Sequence, residues 1–154
     1  MRREKLKVVV PPAETARPGQ FVLDEQLGFL LRVTTQRVTS IFNARMIEGL
    51  TPTQFAALAK LHEVGACSQN FLGRLIYLDA ATIKGVVDRL ATRGFVTASN
   101  DERDRRRRAV TLTDRGRAVT EAATFKAAEI TKATLSPLTE EEQRTVVRLL
   151  KKIG

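Results

Sequence analysis

From Leu23 onward the apolar residues Leu27, Leu30, Leu31, Val38, Ile41, Phe42 and Ile47 recur at spacings that keep them on one side of a long helix ending near Gly49. Thr51-Pro52-Thr53-Gln54 reads as a helix start: Thr51 can cap the free amides, Pro52 suits the first helical position and Gln54 can reach back to the cap. That second helix is expected to run to about Glu63, with Gly65 ending it. Ser68 offers the next cap, for a short helix through Gln69–Leu75; Leu78-Asp79 makes a turn, and Asp79 caps a further helix from Ala80 to Arg93, stopped by Gly94. The period then changes. Phe95–Ser99 reads as a strand and Ala109–Leu112 as its partner, which makes a hairpin around a charged loop. From Thr113 to about Leu135 an Ala-rich stretch is helical again, Pro137 interrupts it, and Thr139-Glu140-Glu141-Glu142 is a capping box opening a last helix to Lys152. Residues 1–20, with Pro11-Pro12 and Pro18-Gly19 and no sustained periodicity, read as a flexible arm ahead of a single folded unit spanning 21–154. The fold class is mainly α with a small β-hairpin.

Composition narrows the partners. With 43% apolar residues in 154 the chain can bury one core, while 26 Lys and Arg against 17 Asp and Glu leave a charge of +9. That balance points to an anionic partner, whether nucleic acid, membrane surface or a phosphorylated ligand. A single cysteine, Cys67, excludes an internal disulfide framework, and no Cys/His cluster has the ligand count of a structural zinc site, so no cofactor is expected. The basic N-terminus is followed only by Val8-Val9-Val10 before the prolines, too short for a signal peptide or a membrane span, which predicts a cytoplasmic protein with no membrane partner.

Two short helices, a tight turn and a two-stranded wing over 51–112 form a winged helix-turn-helix, whose second helix can enter the DNA major groove. On that helix Ile83, Val86, Val87 and Leu90 share the inward face, while Ala81, Lys84, Gly85 and Asp88 share the opposite one. Small residues mixed with single charges let the backbone lie close to base edges while Lys84 reaches a guanine or a phosphate; Thr82 and Arg89 flank this face and suit phosphate contacts. Taken alone, the helix reads equally well as an amphipathic core helix. The loop changes the balance: Asn100–Arg108 concentrates Arg103, Arg105, Arg106, Arg107 and Arg108 at a hairpin tip, where repulsion disfavours folding unless an anion or the interleaved acids offset it. Arginine suits the enhanced negative potential of a narrow minor groove. The competing reading of such a run is solvated surface.

The stretch from Leu78-Asp79-Ala80-Ala81-Thr82 through Val87-Asp88-Arg89-Leu90 to Arg93-Gly94-Phe95-Val96, followed by Asp104-Arg105-Arg106 and Val110-Thr111-Leu112-Thr113 with Gly116, resembles the MarR family of bacterial regulators. The resemblance extends from about Leu23 to the end of the chain in element order. It implies a homodimer in which helices of 21–49 and 113–154 interlock, with two recognition helices reading a palindromic operator of double-stranded DNA and each wing touching the neighbouring minor groove. The candidate DNA-contacting residues are Ser68, Ala80, Ala81, Thr82, Lys84, Gly85, Asp88 and Arg89, with Asp104, Arg105, Arg106, Arg107 and Arg108 in the wing. Arg106 matches the arginine that family members insert, and Asp104 its supporting acid; Arg107 and Arg108 exceed the minimal pattern. A long amphipathic helix at each end of the chain argues for a partner independently.

The run Leu61–Asn70 with Asp79–Gly85 is similar to regulators of aromatic-compound catabolism, which implies a repressor released by a small aromatic acid or its coenzyme A thioester. Phe29, Arg32, Phe42, Arg45 and His62 are the candidate ligand residues. Each has an ordinary alternative: His62 as a satisfied structural residue, the arginines as ion pairs or solvated chains, and Phe29, Phe42 and Phe71 as core or dimer contacts. Cys67 raises thiol redox sensing, but no basic residue adjoins it in sequence. An enzyme is not expected, since one histidine and one cysteine without a Gly-rich phosphate loop leave little to build a site from. A sequence-neutral nucleic-acid binder remains the alternative, to be separated by its specificity ratio.

Overall fold

The computed structural model describes residues 21–100 and 108–154; the expected arm over 1–20 and the wing-tip residues Asp104, Arg105, Arg106 and Arg107 lie outside the described residues. The elements are α1 (Leu27–Arg45), α2 (Pro52–Val64), β1 (Cys67–Ser68), α3 (Gln69–Leu75), α4 (Ala80–Thr92), β2 (Val96–Asn100), β3 (Arg108–Leu112), α5 (Asp114–Leu135) and α6 (Glu140–Ile153), with short 3₁₀ turns at Leu23–Glu25 and Ile47–Gly49. The chain divides within α1 into two units, Met1–Thr35 and Gln36–Gly154. In the first, Leu23, Leu27, Leu30, Leu31 and Val33 are exposed, and the Arg32 guanidinium lies 5.2 Å from the centre of the Phe29 ring.

In the second unit the core is built by Phe42, Met46 and Leu50, by Ala57, Leu58 and Leu61 of α2, by Leu72 of α3, by the inward row of α4, and by Phe95, Val96, Val110, Ala123 and Ile130. Local chemistry fixes the helix starts. Thr51 accepts from the Gln54 amide at 3.2 Å while Gln54 accepts from the Thr51 amide at 3.1 Å, the reciprocal box expected; Thr139 and Glu142 form a second one. A cap of this kind contributes about 1 kcal/mol.

The expected single helix from Leu23 to Gly49 is corrected. It is interrupted at both ends: α1 spans only Leu27–Arg45, Met46 is extended (ψ 141°), and Glu48 lies in the left-handed region at φ 54°. The apolar spacing continues through Ile47, so periodicity cannot see the break. The packing can: Met46 and Leu50 on either side of it are both buried, and the Arg93 side chain donates to the Glu48 carbonyl.

The sheet is antiparallel in the order β1-β3-β2, with Val96 opposite Leu112 and Asn100 opposite Arg108 on one side of β3, and Cys67 opposite Val110 on the other. Ser68 serves two elements, pairing with Ala109 in β3 and capping α3 by accepting from the Phe71 amide at 3.2 Å. At the wing root Gly94, at φ 74°, ends α4, and the Thr113 amide donates to the Phe95 carbonyl at 3.1 Å. Arg93 and Arg115 flank the buried Phe95 ring, 4.6 Å and 5.0 Å from its centre, and both approach the Glu48 carboxylate at 3.8 Å.

Candidate nucleic-acid interface

Helix α4 presents the two faces expected of it: Ile83, Val86, Val87 and Leu90 are buried, while Ala80, Ala81, Thr82, Lys84 and Arg89 are exposed and Gly85 and Asp88 are half-buried. It meets α3 at close quarters. A Cβ on Gly73 would lie 3.1 Å from Ile83 Cγ2 and 3.1 Å from the Leu78 carbonyl oxygen, so a side chain at this corner of the helix-turn-helix would have to push its neighbours back by a few tenths of an ångström.

The polar face is organised by bonds within the chain. Asp79 caps α4 by accepting from the Thr82 amide at 2.8 Å, and the Thr82 hydroxyl donates to the second Asp79 oxygen at 2.7 Å. These bonds, the hydroxyl's first, hold the Asp79 carboxyl below its ordinary range. Thr82 therefore has its proton engaged within the protein. Lys84 Nζ lies 2.6 Å from Asp88 Oδ2, one turn further along the helix. The expectation that Gly85 simply leaves backbone open to the bases is modified: the Arg89 guanidinium lies over it, with Nη1 3.4 Å from the position of an added Cβ. Lys84, Gly85, Asp88 and Arg89 thus form one patch, a basic pair with an internal acid, able to donate to phosphate or guanine. Ser68 has a structural task as cap and strand residue, and Arg108 opens β3 opposite Asn100.

The expected ligand residues do not converge within this unit. Phe42 is buried, its ring centre 6.0 Å from that of Phe55 at a tilt of 52°. Arg45 is exposed near Glu129, whose carboxyl is held below the usual range chiefly by a 2.7 Å hydrogen bond from Lys126 and that lysine's charge, with Arg45 adding to it. His62 is exposed and lies 3.4 Å from Glu121. Glu121 and Glu129 are eight residues apart on α5, so the two stations are separated by about 12 Å along the helix. Phe71, expected as core or dimer contact, is 39% exposed on α3. A groove of about 560 Å³ lined by Leu135, Gln143, Arg144, Val147, Arg148 and Lys151 contains none of the candidate ligand residues.

Burial pushes the Cys67 thiol above its ordinary value, which disfavours the thiolate that oxidation requires. Cys67→Ser is accordingly expected to leave DNA affinity and its response to effector unchanged, and peroxide is expected not to release the wild-type protein from DNA. Peroxide-induced release that the serine variant lacks would restore the sensor. Among the described residues no group of three or more His, Cys, Asp or Glu side chains could hold a metal ion, and no helix is long and apolar enough to cross a membrane.

Sequence reasoning missed three features of this interface. The two-residue strand β1 has no alternation to reveal it; Gly73 is marked only by its close approach to α4; and the Glu48–Arg93–Arg115 cluster joins residues too far apart in sequence to pair by pattern.

The MarR family model matches residues 50–107. The HTH-type transcriptional repressor NicR of Pseudomonas putida is 38% identical over 148 residues, covering 96% of this chain and 94% of its own. A probable transcriptional regulator from Pseudomonas aeruginosa superposes with a TM-score of 0.84 at 48% identity, over 86% of this chain and 100% of that one. BpsR of Bordetella bronchiseptica, whose DNA binding is regulated by 6-hydroxynicotinic acid, superposes with a TM-score of 0.82 at 38% identity, over 88% of this chain and 97% of its own. A winged helix-turn-helix with this element order, and a relative of such identity along nearly its whole length, place the chain in the MarR family of transcription regulators.

Proposed function

We propose that the protein is a homodimeric repressor that holds a palindromic operator through α4 and the wing arginines and releases it when a small aromatic or heteroaromatic acid binds. The observation that carries this reading is α4 itself: one face wholly committed to the core, and the other exposing Ala80, Ala81, Lys84 and Arg89. The repressor role is supported by NicR, and an acid effector by the control of BpsR by 6-hydroxynicotinic acid. Dimerisation through the helices of 21–49 and 113–154 is supported by the apolar surface each leaves uncovered: Leu27 and Leu30 in the first unit, and Phe125, Leu149, Leu150 and Ile153 in the second.

The test is fluorescence-anisotropy binding to the duplex upstream of the protein's own gene and to a shuffled duplex, at fixed salt, with and without 6-hydroxynicotinic acid, other aromatic acids and their coenzyme A thioesters. A preference of about 10³ or more for the upstream duplex, abolished by a free acid, is the expected result. Release by a thioester alone would move the effector class, and equal binding to both duplexes would make the protein a sequence-neutral binder. Within that assay Lys84→Ala is expected to narrow the preference. Arg106→Ala should weaken binding to both duplexes and lower the salt slope by about 0.9 for each phosphate that is no longer neutralised, roughly two units for a dimer. An Arg106→Ala variant with unaltered affinity and slope would remove that arginine from the interface.

A further inference from the structure

Helix α3 ends in a tight turn in which the Leu78 amide donates to the Gly73 carbonyl at 2.9 Å and the Tyr77 amide to the Arg74 carbonyl at 3.3 Å. This pair of bonds closes a helix through one residue in the left-handed region, a position that glycine, and less often asparagine, ordinarily fills. Here it is Tyr77, at φ 57°. A bulky residue is strained in that conformation, and packing does not compensate, because Tyr77 is 91% exposed. Three residues earlier, in the last turn of α3, stands the exposed Arg74, its guanidinium 5.6 Å from the centre of the Phe71 ring, also exposed. An aromatic ring therefore braces a cation beside a strained tyrosine, two residues before the Asp79 cap of α4.

We propose that Tyr77 and Arg74 contact the DNA sugar-phosphate backbone at the edge of the major groove that α4 enters. The inference rests on the reading of α4 as recognition helix. In a helix-turn-helix the first helix crosses the backbone while the N-terminal part of the second reaches the bases, so the turn joining them lies beside phosphates. A phenol is suited to that place: its hydroxyl donates to a phosphate oxygen in a charge-assisted bond, and it carries no charge of its own. Arg74 supplies the charge, and Phe71 restricts the conformations it must give up on binding.

The two residues make different predictions in one experiment. Tyr77→Phe removes only the hydroxyl, and is expected to weaken binding about tenfold on upstream and shuffled duplexes alike with the salt slope unchanged. Arg74→Gln is expected to weaken both and to lower the slope by about two units, one neutralised phosphate in each protomer. Tyr77→Gly relieves the left-handed strain, so its thermal midpoint should equal that of the wild type or exceed it by about 2 °C while its affinity falls at least as far as that of Tyr77→Phe. Unchanged affinity in both Tyr77 variants overturns the proposal, as does an effect confined to the upstream duplex, which would make Tyr77 a base reader. Because binding is scored on the shuffled duplex too, the proposal is judged separately from the regulator reading, which fails only if the wild type prefers neither duplex.

Discussion

Gly116→Ala is expected to destabilise the protein by about 3 kcal/mol or more, or to prevent it from folding. An added Cβ would lie 1.8 Å from the Phe95 carbonyl oxygen and 2.7 Å from its carbon. Neither atom belongs to a side chain that can rotate away. That carbonyl is also fixed by the Thr113 amide, and the first turn of α5 is fixed by the Thr113 hydroxyl, which accepts from the Gly116 amide at 2.9 Å and donates to the Gly94 carbonyl at 2.7 Å. Relief requires α5 to move off the wing root, exposing part of the core around Phe95 and Ala123. Urea unfolding at fixed protein concentration measures the loss, and a cost below about 1 kcal/mol would show that the root can yield. Gly85→Ala is the internal control. Its Cβ would approach only the flexible Arg89 guanidinium, so the same substitution is expected to be neutral or to stabilise α4 by up to about 1 kcal/mol through helix propensity.

The second large effect concerns assembly. Leu150→Asp on α6 is expected to produce a monomer and to lower operator affinity by about 10²–10⁴, because the second half-site is then no longer presented at the effective concentration a linked partner provides. Val146, Leu149, Leu150 and Ile153 recur along one stripe of α6, and Ile153 is 63% exposed. Leu150 is outside the buried core, so the winged unit should keep its circular dichroism while sedimentation reports the change of mass. A variant that stayed dimeric and bound DNA normally would take α6 out of the interface.

What could be read from the sequence was what depends on short range. The caps at Thr51, Ser68, Asp79 and Thr139 each accept from an amide three residues on, and a local pattern suffices to find them. The two faces of α4 follow from a period that nothing interrupts. The corner after Arg45 was not legible, because Ile47 continues the apolar spacing while Met46 and Leu50 answer to a core assembled from distant segments. His62 shows the same limit in a side chain: its neighbour Glu121 lies 59 residues away, and no local signal distinguishes that pairing from a ligand site. Tyr77 carried no signal at all, since only the backbone reveals that φ is positive.

Ser68 joins the first helix of the helix-turn-helix to the strand that returns from the wing, through its cap on α3 and its pairing with Ala109. α3 and the described base of the wing are thereby parts of one hydrogen-bonded head. Such a head has little latitude to adapt within a half-site. In the dimer proposed above, discrimination among operators of different spacing falls to the distance and twist between two such heads, and an effector that alters that separation by a few ångströms is expected to release the DNA while leaving each head as it was.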